Sequence, residues 1–430
     1  MKTTGPVAAA PPTAPGALDP SRRSGLPAPT QPAPQDSLPV VQFIGCLYKF
    51  DMYSHNCSNL AQAMSHASQA NVQVTTSNCN CFSTGQKYGI DQSELIDRRC
   101  SAVKLPYAPP DPSRKYGAFK YWVVKLLALH FFLEILRGAL FFWHTRKARV
   151  VHFDQVLKAF GFLSFFVLVW LRRATGKAVV VSVHEVDPLQ RRHPRLNRVY
   201  NRCARVVVFS VDMKEQLQQL GVRPEKITII HAGTVLPVLT GAARERFIFF
   251  GGHSILRGKG YAELMAALKL LKEKRAGIRL LSYVGKGCNG VEEAMEIARR
   301  EGVSDLIEWK EFLYDSELAE AYQGSKACLI PYTGGSARHP ATCAMSNATA
   351  VIATRAVDIP EYLGDSAIYT DGSARSLAEA VLALDADPER AKRLGAELRQ
   401  RAEKEFTFGN MSEKLLRVCT EALGASGGLD

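Results

Sequence analysis

Three stretches of this 430-residue chain hold side chains whose types and spacing suit work on an anion. Gly251-Gly-His-Ser-Ile-Leu-Arg-Gly-Lys-Gly260 sets glycines, among them Gly251 and Gly252, beside His253 and two fixed cations, Arg257 and Lys259. Glycine lets backbone N–H groups close on phosphate oxygens, and the cations neutralise a diphosphate. A tight basic turn uses the same residues, so the loop alone is a weak sign. Pro331-Tyr-Thr-Gly-Gly-Ser-Ala-Arg-His-Pro340 is the second stretch. Ser336, the backbone through Ala337 and the Arg338 guanidinium can hold and neutralise phosphate oxygens, and Pro340 suits a first helical turn. The third, Val357-Asp-Ile-Pro-Glu-Tyr362, puts the carboxylates of Asp358 and Glu361 three residues apart and reads equally well as a solvated loop.

The first half of the chain offers less. His184 closes an apolar run and is followed by Glu185 and Asp187. An imidazole there can donate to a sugar hydroxyl or a phosphate, or can simply pack at a strand edge. Asp51, His55 and Asn56 follow the first apolar run. No Ser-His-Asp order, His-Glu-x-x-His or Walker loop occurs, and no metal site is expected.

These residues need elements to position them. Leu38–Gly45, Ala148–Phe153, Ala178–His184, Ala204–Ser210 and Ile227–Ile230 are apolar runs of strand length, separated by helical stretches such as Asn59–Ser68. That alternation predicts an α/β, doubly wound parallel sheet over 38–236. Residues 237–245, with Pro237 and Gly241, read as a linker. Then the pattern restarts: strands are expected at 246–250, 278–284, 307–309, 327–331, 350–354 and 366–370. Helices are expected at 261–273, near 291–301 and 316–323, and at 341–347, 374–385 and 387–406. The second domain thus spans 246–408, with a C-terminal helix and tail over 409–430. Two Rossmann-like domains in tandem leave a cleft at the carboxyl ends of both sheets, and ligands belong there.

Composition narrows the partners. Lys and Arg outnumber Asp and Glu by 54 to 41, a formal charge of +13, which favours an anionic partner. No zinc-finger or RNA-recognition spacing accompanies it, so no nucleic-acid partner is expected. The ten cysteines form no Cys-x-x-Cys pair and read as reduced, partly buried thiols of a cytosolic protein. Residues 1–37 are rich in Pro and Ala, without the apolar core of a secretory signal, and predict a flexible tail. Residues 119–143 and 159–171 are unusually apolar, yet neither makes a clean span of about 20 uncharged residues. They read as buried helices of the first domain or as an in-plane contact with an anionic membrane. In the second reading Trp122, Phe141, Phe142 and Trp143 lie in lipid, and Arg146, Lys147, Arg172 and Arg173 lie on head groups.

The landmarks VSVHEVDP, ARVVVFS, KITIIHAGT, FIFFGGHSILRGKGYAEL, LIPY, AMSNATAVIATRAVDIPEYL and EKEFTF, in this order and spacing, resemble glycosyltransferase family 4 from Val40 to Phe408. The resemblance implies the B-type fold (GT-B), with two Rossmann-like domains facing a central cleft. It implies a retaining, metal-independent sugar transfer from a nucleotide-diphosphate sugar, with no further cofactor. The acceptor, a glycan or, given the apolar and basic segments there, a lipid-linked molecule, is expected on the first domain, and the expected setting is exopolysaccharide assembly at the cytoplasmic face of the inner membrane.

Residue by residue, His184 takes the place of the family histidine near the donor sugar, and Gly233 that of the glycine after the first domain's last strand. Lys259 fits the diphosphate lysine, while Gly252 or His253 stands where the family has arginine and Arg257 substitutes for it. The family's glutamate pair is missing: Ser336 and Cys343 stand in the two slots, and Asp358 or Glu361 is left to serve the ribose. A chain without those glutamates also fits a binding protein that has lost catalysis, or an epimerase on the same plan.

Overall fold

The computed structural model of the protein describes residues 40–45, 73–79, 101–103, 129–154, 162–186, 191–256, 258–274, 276–311, 313 and 315–426. The expectations for Asn59–Ser68, Trp122, Asp51, His55, Asn56, Asp187 and Arg257 lie outside these residues. Strands β1 (Val40–Gly45), β2 (Gln73–Cys79), β3 (Ser101–Val103), β4 (Val150–Asp154), β5 (Ala178–Ser182), β6 (Arg205–Val208) and β7 (Ile227–Ile229) form one sheet, ordered 3-2-1-4-5-6-7. Strands β8 (Arg246–Ser254), β9 (Leu280–Asn289), β10 (Ile307–Glu311), β11 (Ser325–Ile330), β12 (Ala350–Thr354) and β13 (Ile368–Thr370) form another, ordered 10-9-8-11-12-13. Every pairing is parallel. Each sheet therefore reverses direction beside its first strand, at β1/β4 and at β8/β11, and opens a crevice there.

The central strands are Val- and Ile-rich because both faces are covered. Val150, Val151, Val180, Val181, Val206 and Val207 are all fully buried. β2 was not legible in advance: Gln73-Val-Thr-Thr-Ser-Asn-Cys79 lacks an apolar run, and pairing with β1 from Val40↔Gln73 to Gly45↔Asn78 makes it a strand.

In the first domain the helices are α1 (Leu129–His144), α2 (Phe162–Ala174) and α3 (Val211–Gln219). The second carries α4 (Tyr261–Glu273), α5 (Val291–Arg300), α6 (Asp315–Gln323), α7 (Arg338–Ser346), α8 (Ile359–Leu363), α9 (Ala374–Asp385) and α10 (Pro388–Glu405), and α11 (Phe408–Ser426) follows. Their starts obey local chemistry: Ser210, Ser373 and Asp387 each accept a backbone N–H from the first turn of α3, α9 and α10. The 357–362 stretch is not simply a solvated loop. Pro360 starts a short helix there, and Ile359, Tyr362 and Leu363 are buried.

The C-terminal helix α11 returns to the first domain. Phe408, Met411, Leu415, Val418 and Cys419 join its core, against β4 and β5. Each fully buried side chain of this kind stabilises the contact by about 1.5–3 kcal/mol. The chain crosses between domains where Thr234 pairs with Thr407. Gly233 makes that crossing possible, because a Cβ there would lie 2.8 Å from the Phe408 ring.

The two apolar segments divide along their helices. Phe141 and Arg172, placed in lipid and on head groups by the membrane reading, are both buried. Arg172 is a structural hub that donates to the carbonyl oxygens of Thr145, Ala148, Arg149 and Ala178. Burial pulls its pKa down to about 9. Glu134 and Arg137 pair inside the α1–α2 contact, and Glu134 also accepts the Ser164 hydroxyl at 2.5 Å. Phe131, Phe132, Trp143 and Trp170 remain exposed on the outer faces. Among the described residues, no helix is long and apolar enough to cross a membrane.

Candidate active site

Two glycine loops meet where β8 and β11 end. Gly258 O accepts the N–H groups of Thr333 and Gly334, each at 3.1 Å. Gly260 has φ +63°, and a Cβ there would sit 1.8 Å from Pro331 O. Only glycine permits this approach, which leads straight into the N-terminus of α4. Lys259 lies between the loops, its Nζ 3.9 Å from the centroid of the Tyr332 ring. The ring is held by its hydroxyl, which donates to Phe250 O. Burial pulls the Lys259 pKa down to about 8, with Asp358 and Cys288 opposing the shift. A part-buried ammonium that has lost much of its hydration regains stability when an anion arrives. Gly251 and Gly252 are buried beneath the loop, and the backbone of His253 continues β8.

Asp358 has an internal role rather than an open one. Its carboxylate accepts the Ser336 hydroxyl at 2.7 Å and the Ala337 N–H at 2.9 Å, and it is almost wholly buried. Val357, just before it, adopts φ +50°, a costly conformation for a β-branched residue. That turn points Asp358 at the 334–337 loop. The Gly334 and Ala337 N–H groups are therefore spent inside the protein. The Gly335 and Ser336 N–H groups lie between them in the same loop. Cys343, one turn into α7, lies 3.6 Å from His339 Nε2.

Across the cleft, the ends of β4 and β5 carry a polar relay. His184 Nε2 lies 2.7 Å from Asp154 Oδ1, and the imidazole packs edge-on to Phe209 at 4.5 Å. Behind them the fully buried His152 shares a 2.8 Å hydrogen bond with Ser182. Burial pulls the His152 pKa down to about 4, so it is neutral at physiological pH. Asp154 fixes the orientation and tautomer of His184, which is how a carboxylate behind an imidazole prepares it to donate or accept. Glu185 beside it is exposed.

Arg338 joins the two sides. Its guanidinium donates to His184 O at 2.7 Å and stacks 4.7 Å over Phe209, so the β11 loop and the β5 end face one cleft. Glu361 makes a second bridge. Both its oxygens accept Val211 N–H at the start of α3, and Oε1 lies 2.7 Å from His231 Nε2. Tyr362 completes the seam, donating to Phe209 O and accepting from Ala232 N–H.

The structure thus gathers Lys259, Ser336, Ala337, Arg338, Asp358 and His184 around one cleft. Gly233 sits at the interdomain crossing, and Glu361 is engaged with first-domain groups. Asp154, His231, Phe209 and Tyr362 were not singled out in the sequence. Asp154 had one signal, a carboxylate at the carboxyl end of a buried strand; the others acquire meaning only through contacts more than a hundred residues away.

Comparison with known proteins agrees with this geometry. The family model described as Glycosyltransferase Family 4 matches residues 97–236, and that described as Glycosyl transferases group 1 matches residues 244–387. This chain is a family 4-like glycosyltransferase. Its two matched segments lie one in each Rossmann domain and together make about two thirds of the chain. MMP alpha-(1->4)-mannosyltransferase of Mycolicibacterium hassiacum is 26% identical over 250 residues, 55% of this chain. The match spans 59% of that relative's length. Among solved structures, sucrose-phosphate synthase from Thermosynechococcus elongatus superposes with a TM-score of 0.65 at 16% identity, covering 90% of this chain and 100% of that one. Anabaena Alr3699/HepE in complex with UDP and glucose gives 0.63 at 12% identity, covering 89% and 99%. These likenesses establish the GT-B fold for the family 4-like chain.

Proposed function

We propose that this protein transfers a sugar from a nucleotide-diphosphate sugar to a glycan or lipid-linked acceptor, with retention at the anomeric carbon and without a metal. The observation that carries the reading is the Arg338–His184 bridge, which brings a basic, glycine-lined loop pair opposite an oriented imidazole. Charge accumulates on the diphosphate as the glycosidic bond breaks. Lys259, the Gly335 and Ser336 N–H groups and the N-terminus of α4 stabilise it as it develops. His184, held by Asp154, donates to the sugar or its phosphate. The acceptor attacks from the leaving-group side and passes its proton to a diphosphate oxygen, so no protein nucleophile is needed. The solved structures with UDP, UDP-glucose and glucose bound to Anabaena Alr3699/HepE support uridine donors as the first to test.

The test is a panel of nucleotide sugars, with calorimetry for binding and mass spectrometry for transfer to membrane lipid extract. Absence of binding by any nucleoside diphosphate would sink the proposal. Binding without transfer or hydrolysis would favour the second reading, a nucleotide-binding relative with lost catalysis, which the Ser336 and Cys343 replacements support.

A peripheral contact with an anionic membrane belongs to the same reading, as does a place in exopolysaccharide assembly at the cytoplasmic face. It rests on Phe131, Phe132, Trp143 and Trp170 exposed on α1 and α2, beside Arg146 stacked 4.2 Å over Trp143 and Arg202 5.5 Å over Phe166. Trp143→Ser with Trp170→Ser should abolish flotation with vesicles containing anionic lipid while leaving the melting temperature unchanged. Unaltered flotation would remove the membrane from the account.

A further inference from the structure

A cavity of about 530 Å³ lies far from the cleft, at the amino ends of β8, β11 and β12. That size suits a small metabolite. Its walls are the interdomain linker from Leu239 to Arg244, the end of α9 and the first turn of α10. Leu239, Ala348, Leu384 and Pro388 make one side apolar. The charged lining is Arg244, Lys326 and Lys392 against Asp385 alone, a net positive interior.

The cations are not equivalent. Lys326 pairs with Asp385 at 2.5 Å, and Lys392 with Glu389 at 2.6 Å. Arg244 donates one Nη to Ala348 O at 2.7 Å, while its Nη1 is buried with no acceptor. Burial also pulls the guanidinium pKa below its usual value. Native proteins seldom leave a buried guanidinium nitrogen unmatched, and an arginine fork is shaped to take an oxyanion. Arg244 precedes β8, whose opposite end carries the glycine loop, so the sugar-transfer chemistry has no use for it.

We propose that this cavity is a second ligand site, taking a small molecule that carries a phosphoryl or carboxylate group, with Arg244 holding the anion and the apolar wall holding the remainder. The site is coupled to the hinge. Gln323 Oε1 accepts from the Thr240 N–H at 2.8 Å and from its hydroxyl at 2.9 Å, and Nε2 donates to Val238 O, pinning the linker along the cavity rim. An occupant wedged against the linker favours the domain angle in which the cavity is best formed.

The experiment uses the full chain with UDP present, so that the cleft is occupied, and titrates phenyl phosphate, benzoate and phenol by calorimetry. One of the two anions binds and phenol does not; the tighter anion identifies the head group. Arg244→Leu weakens that binding about tenfold or more, the loss of a charged hydrogen bond. Ala242→Phe, which fills the cavity while leaving Arg244 in place, abolishes it. Lys392→Gln at the rim changes it less than about twofold. The proposal is overturned if neither anion binds at millimolar concentration, if phenol binds as tightly as the anions, or if binding survives Ala242→Phe in a protein of unchanged melting temperature.

Discussion

The sheets behind the two edges of the cleft share one strand order over six strands, the first sheet adding β7, yet the edges are built in opposite ways. On the first-domain edge the polar groups are side chains: His184 is aimed by Asp154, with the neutral His152–Ser182 pair filling the sheet beneath. On the second-domain edge they are backbone groups and one part-buried cation, with Gly258 and Gly260 letting two loops touch and Lys259 set between them. The difference follows from the proposed tasks. A diphosphate is a diffuse anion, best met by many N–H groups and a full charge held out of water. A sugar hydroxyl is directional and neutral, and an oriented imidazole suits it.

The largest test of this contrast falls on the backbone edge. Gly260→Ala forces Cβ into Pro331 O, and should cost about 3 kcal/mol or more in denaturant unfolding and remove nucleotide binding. Normal stability with normal binding would show that the loops need not touch. Next is the cation. Lys259→Ala should lower kcat/KM by about 100-fold or more, as expected for a lost stabiliser of developing charge.

The pH profile sharpens the same point. Lys259 in the free enzyme is an ammonium below about pH 8 and loses its proton above it. Donor affinity should therefore be flat below that value and fall as pH rises through it, whereas Lys259→Arg flattens the curve. A profile indifferent to Lys259→Arg would take the diphosphate away from this residue. On the side-chain edge, Asp154→Asn should reduce kcat about 10- to 100-fold with donor affinity little changed, because it disturbs only the orientation and tautomer of His184. A fall in donor affinity instead would mean that both edges hold the diphosphate.

The smallest effect is expected at the seam between the edges. Glu361→Gln weakens a partly exposed bond to His231 and Val211 N–H, and should lower stability by about 1 kcal/mol without changing the pH break near 8. A larger loss would make Glu361 part of the site proper.

How much of this was legible varied by element. Helices 261–273 and 374–385 and strand 350–354 stand where the periodicity puts them, because each carries a complete apolar face and a local stop signal. β2 and the short helix α8 were missed, since pairing with β1 and burial of Tyr362 make them, not propensity. Lys259 and His184 were visible as residue types at strand ends. Asp358 was visible as a carboxylate, but its task was not: only the Val357 backbone turn shows it spent under the 334–337 loop.

By itself, then, the sequence determined the two Rossmann domains, their parallel sheets and the glycine–lysine loop at one carboxyl end. Those depend on local periodicity, turn chemistry and a backbone that tolerates positive φ, all readable within a few residues. The tertiary structure alone decided which charges are available. It buried Arg172 among carbonyls, turned Asp358 and Glu361 onto protein N–H groups, set Asp154 behind His184 and left Arg244 with an unmatched nitrogen. The reason is that a charged group's role depends on what else lies within about 3–4 Å, and those neighbours come from distant segments of the chain.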